Sequence, residues 1–191
     1  MYIGRFLIVT PQIAAYRVSS RSFPHRKIID RGDAFAVVPT AEADPTDNPY
    51  VSYHCLRIGE TYATIGNGSH VDPIAEKLDL GYPARDALAL TLLTLDYEKD
   101  DYQTPRIAAV LSADGAVIGV VREDGIEVVS VDEPTILSTY EFAEPDVTDE
   151  SWSSAPEAAE EIYSLDFAHP VCAAAVEYSE GGFRTALYNG N

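Results

Sequence analysis

Three β-branched, apolar runs follow one another in the middle of the chain, Arg106–Ser112, Ala116–Arg122 and Ile126–Val131, and they are parted by Asp114-Gly115 and Asp124-Gly125. Asp-Gly supplies the positive φ that a two-residue hairpin turn demands, so this stretch predicts an antiparallel meander. "RIAAVL" in the first run and "CAAAV" at residues 172–176 are apolar at successive positions rather than alternate ones. A strand of that kind is covered on both faces. The meander therefore needs a second layer of strands on one side and helices on the other.

The rest of the chain supplies both. Tyr2–Thr10 and Ile13–Ser20 read as strands joined at Pro11-Gln12, followed by Ala34–Val38 and by Val51–Ile58 paired with Thr61–Ile65 across Gly59-Glu60. Val171–Tyr178 and Phe183–Tyr188 flank Ser-Glu-Gly-Gly as a last hairpin. Helices are expected near Asp72–Leu80, with Pro73 in the first turn, over Pro83–Glu98, and over Pro156–Tyr163. The second is apolar on most sides and reads as a layer lying on a sheet. The expectation is an α+β protein, two mainly antiparallel sheets covered by helices, in one domain spanning residues 1–191.

Composition narrows the function. At 46% hydrophobic and 23% charged the chain has the make-up of a folded protein. It contains no run of about 18 apolar residues to cross a bilayer, and Met1–Thr10 is too short and strand-like for a secretory signal. A cytoplasmic location is expected, with no membrane partner. Cys55 and Cys172 lie in separate apolar segments and read as buried thiols. His25, His54, His70 and His169 have no ligand spacing, so no metal site is expected.

Acids outnumber bases 31 to 13, for a net charge of -18, and only Lys27, Lys77 and Lys99 are lysines. Such a surface repels itself unless salt screens it, which points to a salt-rich, halophilic interior. Yet residues 1–31 hold Arg5, Arg17, Arg21, Arg26, Lys27 and Arg31 against Asp30 alone. A buried anion needs charge-assisted donors in place of its hydration, and this segment is where the chain keeps them. The overall field opposes a polyanion, so nucleic acid is a poor partner and a small phosphorylated ligand a better one.

Three blocks carry candidate chemistry. In "YRVSSRSFP", residues 16–24, Arg17 and Arg21 with their serines offer guanidinium forks and hydroxyls to phosphate oxygens. In "NPYVSYHCLR", residues 48–57, Tyr50 and Tyr53 are suited to stack on a heterocycle or donate a proton, and "NGSH" follows at 67–70. In "DYEKDDYQTPR", residues 96–106, carboxylates crowd the expected end of a helix whose carbonyls are already negative, which suits Glu98 to proton transfer. No Gly-x-Ser-x-Gly or glycine-rich phosphate loop is present.

Taken in order, with "MYIGR" at the start and "STY" at 138–140, these blocks resemble the archaeal-type IMP cyclohydrolases over most of residues 1–140. The resemblance implies a four-layer α-β-β-α sandwich similar to the N-terminal nucleophile hydrolases, although Met1-Tyr2 offers no such nucleophile. It implies ring closure of 5-formamidoimidazole-4-carboxamide ribotide to IMP without metal or organic cofactor, in a chain that associates with copies of itself in some members. It also implies Tyr53 and Glu98 as catalytic residues, a phosphate held by Arg17 and Arg21, and ligand contacts from Ser20, Asn67, Ser69 and Lys99. A purine nucleotide-binding protein without activity is the alternative reading.

Overall fold

The computed structural model describes residues 1–190. Among the described residues thirteen strands and three helices follow in the order β1 (Phe6–Val9), β2 (Ile13–Ser19), β3 (Arg26–Asp30), β4 (Ala34–Pro39), β5 (Tyr53–Ile58), β6 (Tyr62–Gly66), α1 (Val71–Asp79), α2 (Ala84–Leu95), β7 (Arg106–Ser112), β8 (Gly115–Arg122), β9 (Gly125–Val131), β10 (Thr135–Ser138), β11 (Asp146–Val147), α3 (Ala155–Ser164), β12 (Pro170–Ser179) and β13 (Gly182–Tyr188). One sheet has six strands ordered β11-β10-β1-β2-β12-β13, and the other has seven ordered β3-β4-β5-β6-β7-β8-β9. Every pairing in both is antiparallel.

The core shows why successive positions are apolar. Leu7, Tyr16, Phe35, Leu56, Ile107, Ile118 and Cys172 meet between the two sheets. Phe6, Ile8, Ala173 and Ala175 turn the other way and pack under Ala158 and Ile162 of α3. Ala108 and Val110 do the same beneath Ile74 of α1 and Leu88 of α2. Alternate residues of β1, β7 and β12 thus enter different cores, which gives the four layers α-β-β-α. Cys55 and Cys172 are buried, unlinked thiols in the central layer.

Both Asp-Gly hairpins form, with β8 registered on both neighbours, but the two-residue loops are Ala113-Asp114 and Glu123-Asp124: Gly115 and Gly125 open β8 and β9, and of the two only Gly115 has a positive φ, 109°. Two elements are shorter than expected by several residues, beyond the one or two residues lost at the ends of β2 and β5. The first strand starts only at Phe6, because Gly4 has φ 74° and lies against Thr139, where a Cβ would stand 2.2 Å from Oγ1. The second helix ends at Leu95 rather than Glu98, since Asp96 takes φ 59° and its carboxylate accepts from the Tyr97 N–H. Its outer face is open as well, with Leu90 and Leu93 exposed.

β3 lies inside the basic segment and has no apolar run to announce it. Arg26 and Ile28 are buried while Lys27 and Asp30 are exposed. These details place the end of β2, the start of β3 and the loop after α2 around one cavity at an end of the sandwich.

Candidate active site

The cavity has a volume of about 370 Å³, and both sheets contribute to its wall. Tyr2, Gly4 and Arg5 come from the N-terminal segment, Ser19 from the end of β2, Ser20, Ser22 and Phe23 from the turn after it, Arg26 from β3, Tyr50 from the loop before β5, Glu98, Asp100, Asp101, Tyr102 and Thr104 from the loop after α2, and Thr139 with Tyr140 from the turn after β10. Its centre of charge is a buried ion pair. The Arg5 fork meets the Glu98 carboxylate through Nη1–Oε1 at 3.0 Å and Nη2–Oε2 at 2.7 Å, and Nη1 also donates to the Asn67 carbonyl at 2.9 Å. Glu98 is 1% exposed. Burial alone would weaken the hold of Arg5 on its proton, but Glu98 and the phenols of Tyr53 and Tyr16 more than offset that and raise it.

Local folding explains how the pair forms. Mutual hydrogen bonds between Arg5 and Thr139 fix the backbone of the first, with Arg5 N–H donating to Oγ1 at 3.1 Å and Thr139 N–H donating to the Arg5 carbonyl at 3.0 Å. The Glu98 N–H donates to the Thr104 carbonyl, and Asp100 accepts from both the N–H and hydroxyl of Thr104, so the acidic loop closes on itself. The Tyr50 hydroxyl accepts from the Lys99 N–H at 3.0 Å, joining that loop to the opposite wall.

Tyr53 does not line the cavity. Its side chain enters the core between the sheets, where its hydroxyl is 2.7 Å from that of Tyr16. Burial pushes both phenols above their ordinary range, with Arg5 pulling the other way, so both are protonated at neutral pH.

Arg17 is the main correction. Its guanidinium is fully buried on the α3 side of the six-stranded sheet, packs on the Phe6 ring, and donates to the carbonyls of Ile162, Leu165 and Phe167. A cation there neutralises the negative end of α3 and satisfies carbonyls that the helix leaves open. Burial lowers its pKa to about 10, which leaves it charged. It is not available to a ligand.

The other expected contacts divide. Ser20 lines the wall, its Oγ accepting from the Phe23 N–H. Arg21 is exposed, stacks 4.1 Å over the ring of Tyr2 and does not itself line the cavity. Asn67 is fully buried and spent as a brace, accepting from Ile107 N–H and donating to the Pro105 carbonyl. Ser69 is exposed outside the cavity, and Lys99 pairs with Asp96 and lies over Tyr97. The helix-end argument for Glu98 also fails, because α2 stops short of it and Arg5 is what it meets.

Residue reasoning missed Arg5, Arg26, Tyr2, Thr139 and Tyr140. For Tyr2, Arg5, Thr139 and Tyr140 the signal was present in "MYIGR" and "STY", which carried the resemblance but were given no role, while Arg26 was counted in the basic segment without being singled out. Aromatic walls of Tyr2, Tyr50, Tyr102 and Tyr140 suit a planar ring, while Ser19, Ser20, Ser22 and Arg26 form a hydroxyl-rich cationic end. Among the described residues no group of three or more His, Cys, Asp or Glu is placed to hold a metal, and no helix is long and apolar enough to cross a membrane.

Fold and site together define a class: a doubly covered antiparallel sandwich whose end cavity combines a buried carboxylate–guanidinium pair, aromatic walls and a hydroxyl-rich cationic corner. Comparison supplies the particular family. The family described as IMP cyclohydrolase-like protein matches residues 2–182, and the chain belongs to it. It is 56% identical over 191 residues to the IMP cyclohydrolase of Natronomonas pharaonis, covering 100% of both chains. Identity to the IMP cyclohydrolase of Halobacterium salinarum is 55% over 192 residues and 99% of each chain, and to that of Methanocella arvoryzae 44% over 199 residues, 100% of this chain and 99% of the relative.

Proposed function

We propose that this chain is an IMP cyclohydrolase that closes the purine ring of 5-formamidoimidazole-4-carboxamide ribotide inside the cavity. The carboxamide nitrogen attacks the formyl carbon, a C–N bond forms, and one proton passes from that nitrogen to the formyl oxygen. The formamide nitrogen then yields its proton, a C=N bond forms, and the oxygen leaves as water with both protons. The balance needs no oxidant or reductant. Because the reacting groups belong to one molecule, the protein's task is to hold a folded conformer and to move protons.

Glu98, in the wall and oriented by the Arg5 fork, is the group for proton transfer. Tyr53 acts from behind the wall, as one of two buried, protonated phenols that share a hydrogen bond and feel the charge of Arg5. Arg26 and the hydroxyls of Ser19, Ser20 and Ser22 take the phosphate, with Arg21 holding Tyr2 against the ring. The observation that carries this reading is the bidentate Arg5–Glu98 pair in a cavity wall, in a chain matched end to end by proteins of that name.

Ring closure followed by absorbance in molar salt tests it. Glu98→Gln is expected to lower kcat by about 10²–10⁴, and Tyr53→Phe by less, with KM close to wild type in both. Folded wild-type protein that binds IMP yet forms none from the formylated ribotide would instead be a nucleotide-binding protein without activity.

A further inference from the structure

Behind Glu98, outside the cavity wall, the turn that leads into α1 holds a polar junction that the reaction above does not use. His70 is fully buried, and its Nε2 lies 2.9 Å from the Ile107 carbonyl. A carbonyl only accepts, so Nε2 carries the proton. Burial, aided by the charges of Arg106 and Arg5 and opposed by the Ile107 carbonyl, lowers the imidazole pKa to about 3, so the ring is neutral. Nδ1 is then a bare acceptor, and among the described residues nothing donates to it.

Arg106 is its complement. The side chain is 7% exposed, its Nε donates to the Asp96 carbonyl at 2.8 Å, and its Nη1 is buried without an acceptor. Both unpaired atoms border one point. A Cβ built on Gly68 would stand 3.1 Å from Arg106 Nη1, 3.3 Å from His70 Nδ1 and 3.4 Å from Glu98 Oε1. Gly68 has no positive φ, so it is the three polar atoms around it, rather than its backbone, that would crowd a side chain.

We propose that Arg106 Nη1, His70 Nδ1 and Glu98 Oε1 hold one buried water over Gly68, and that His70 acts through this water as a positioning residue for the Glu98 carboxylate. The valences close: the water donates to Nδ1 and to Oε1 and accepts from Nη1, which pairs two buried atoms that would otherwise be left bare. Arg5 occupies one lone pair on each oxygen of Glu98. With the water on Oε1, the acceptor position left to a substrate proton is on Oε2. This deepens the cyclohydrolase reading and rests on it.

A high-resolution crystal structure of the ligand-free protein in molar salt is the first test. It is expected to show one ordered water within about 2.7–3.2 Å of all three atoms. A dry junction, or Arg106 bonded directly to His70, overturns the proposal. That result can be read whether or not the protein turns over, so it fails separately from the assigned activity.

Kinetics then test the role. His70→Gln keeps a donor near Nε2 for Ile107 but removes the Nδ1 acceptor, whereas His70→Asn keeps an acceptor near Nδ1 and gives up Ile107. The Gln variant is expected to lose about ten- to a hundredfold in kcat with KM unchanged, and the Asn variant to recover most of it. The opposite order would mean that the Ile107 tether is the whole role. Gly68→Ala, whose methyl group intrudes on the water's place, is expected to match the Gln variant. Wild-type kcat in a Gly68→Ala protein shown to have lost the water would overturn the role even if both histidine variants fail to fold.

Discussion

Arg17 and Arg26 both belong to the basic N-terminal segment, and elementary electrostatics gives each the same affinity for a phosphate. Position on the strand separates them. Arg17 faces α3 and is consumed by three carbonyls, while Arg26 gives only its Nε to the Phe23 carbonyl and lines the cavity. The two alanine variants should therefore fail in different ways. Arg17→Ala strands buried carbonyls at about 1–3 kcal/mol each, so its thermal midpoint should fall steeply while the folded fraction keeps its KM. Arg26→Ala should keep its midpoint and raise KM for the ribotide tenfold or more, by about 1.4 kcal/mol per decade of lost binding. Thermal melts beside steady-state kinetics distinguish them, and a raised KM with an unchanged midpoint in Arg17→Ala would restore it to the ligand.

At the level of elements, His70 joins α1 to β7 through the Ile107 carbonyl, and this junction carries a pH dependence. Its pKa is about 3 in the folded chain against an ordinary 6.5, so the unfolded chain takes up the proton first as pH falls. The contribution is complete above about pH 6.5 and is lost progressively down to about 3, costing about 2 kcal/mol between pH 7 and pH 5. Denaturant titrations in molar salt should show that slope, and His70→Gln should flatten it. What was legible beforehand follows the same physics. The Asp-Gly hairpins and doubly apolar strands were read from local pattern alone, since turn chemistry and side-chain period are written in adjacent residues. β3 was hidden because its inward face uses an arginine, and β10 because four residues cannot establish a period. Glu98 does stand in the cavity wall, but its partner there was not legible, for Arg5 lies 93 positions away and no local signal reports such a pairing.

For the molecule as a whole, charge is segregated by use. Arg17, Arg26 and Arg106 are buried, Arg5 is tied to Glu98, and residues 141–161 carry eight acids and no base. The cations that serve α3 and the cavity thus leave much of the surface uncompensated, and the net charge of -18 must be screened from outside. The Debye length falls from about 10 Å at 0.1 M salt to about 3 Å at 1 M, which removes repulsion between neighbouring surface carboxylates while touching the enclosed Arg5–Glu98 pair far less. Each kcal/mol of repulsion relieved should raise the thermal midpoint of a chain this size by about 2–4 °C. The midpoint is therefore expected to climb steadily from low to molar salt, with activity following the folded fraction measured by circular dichroism. A midpoint equal or higher in dilute buffer would contradict the screening argument. Activity lost at low salt while the fold persists would place the salt requirement in the cavity instead of the surface.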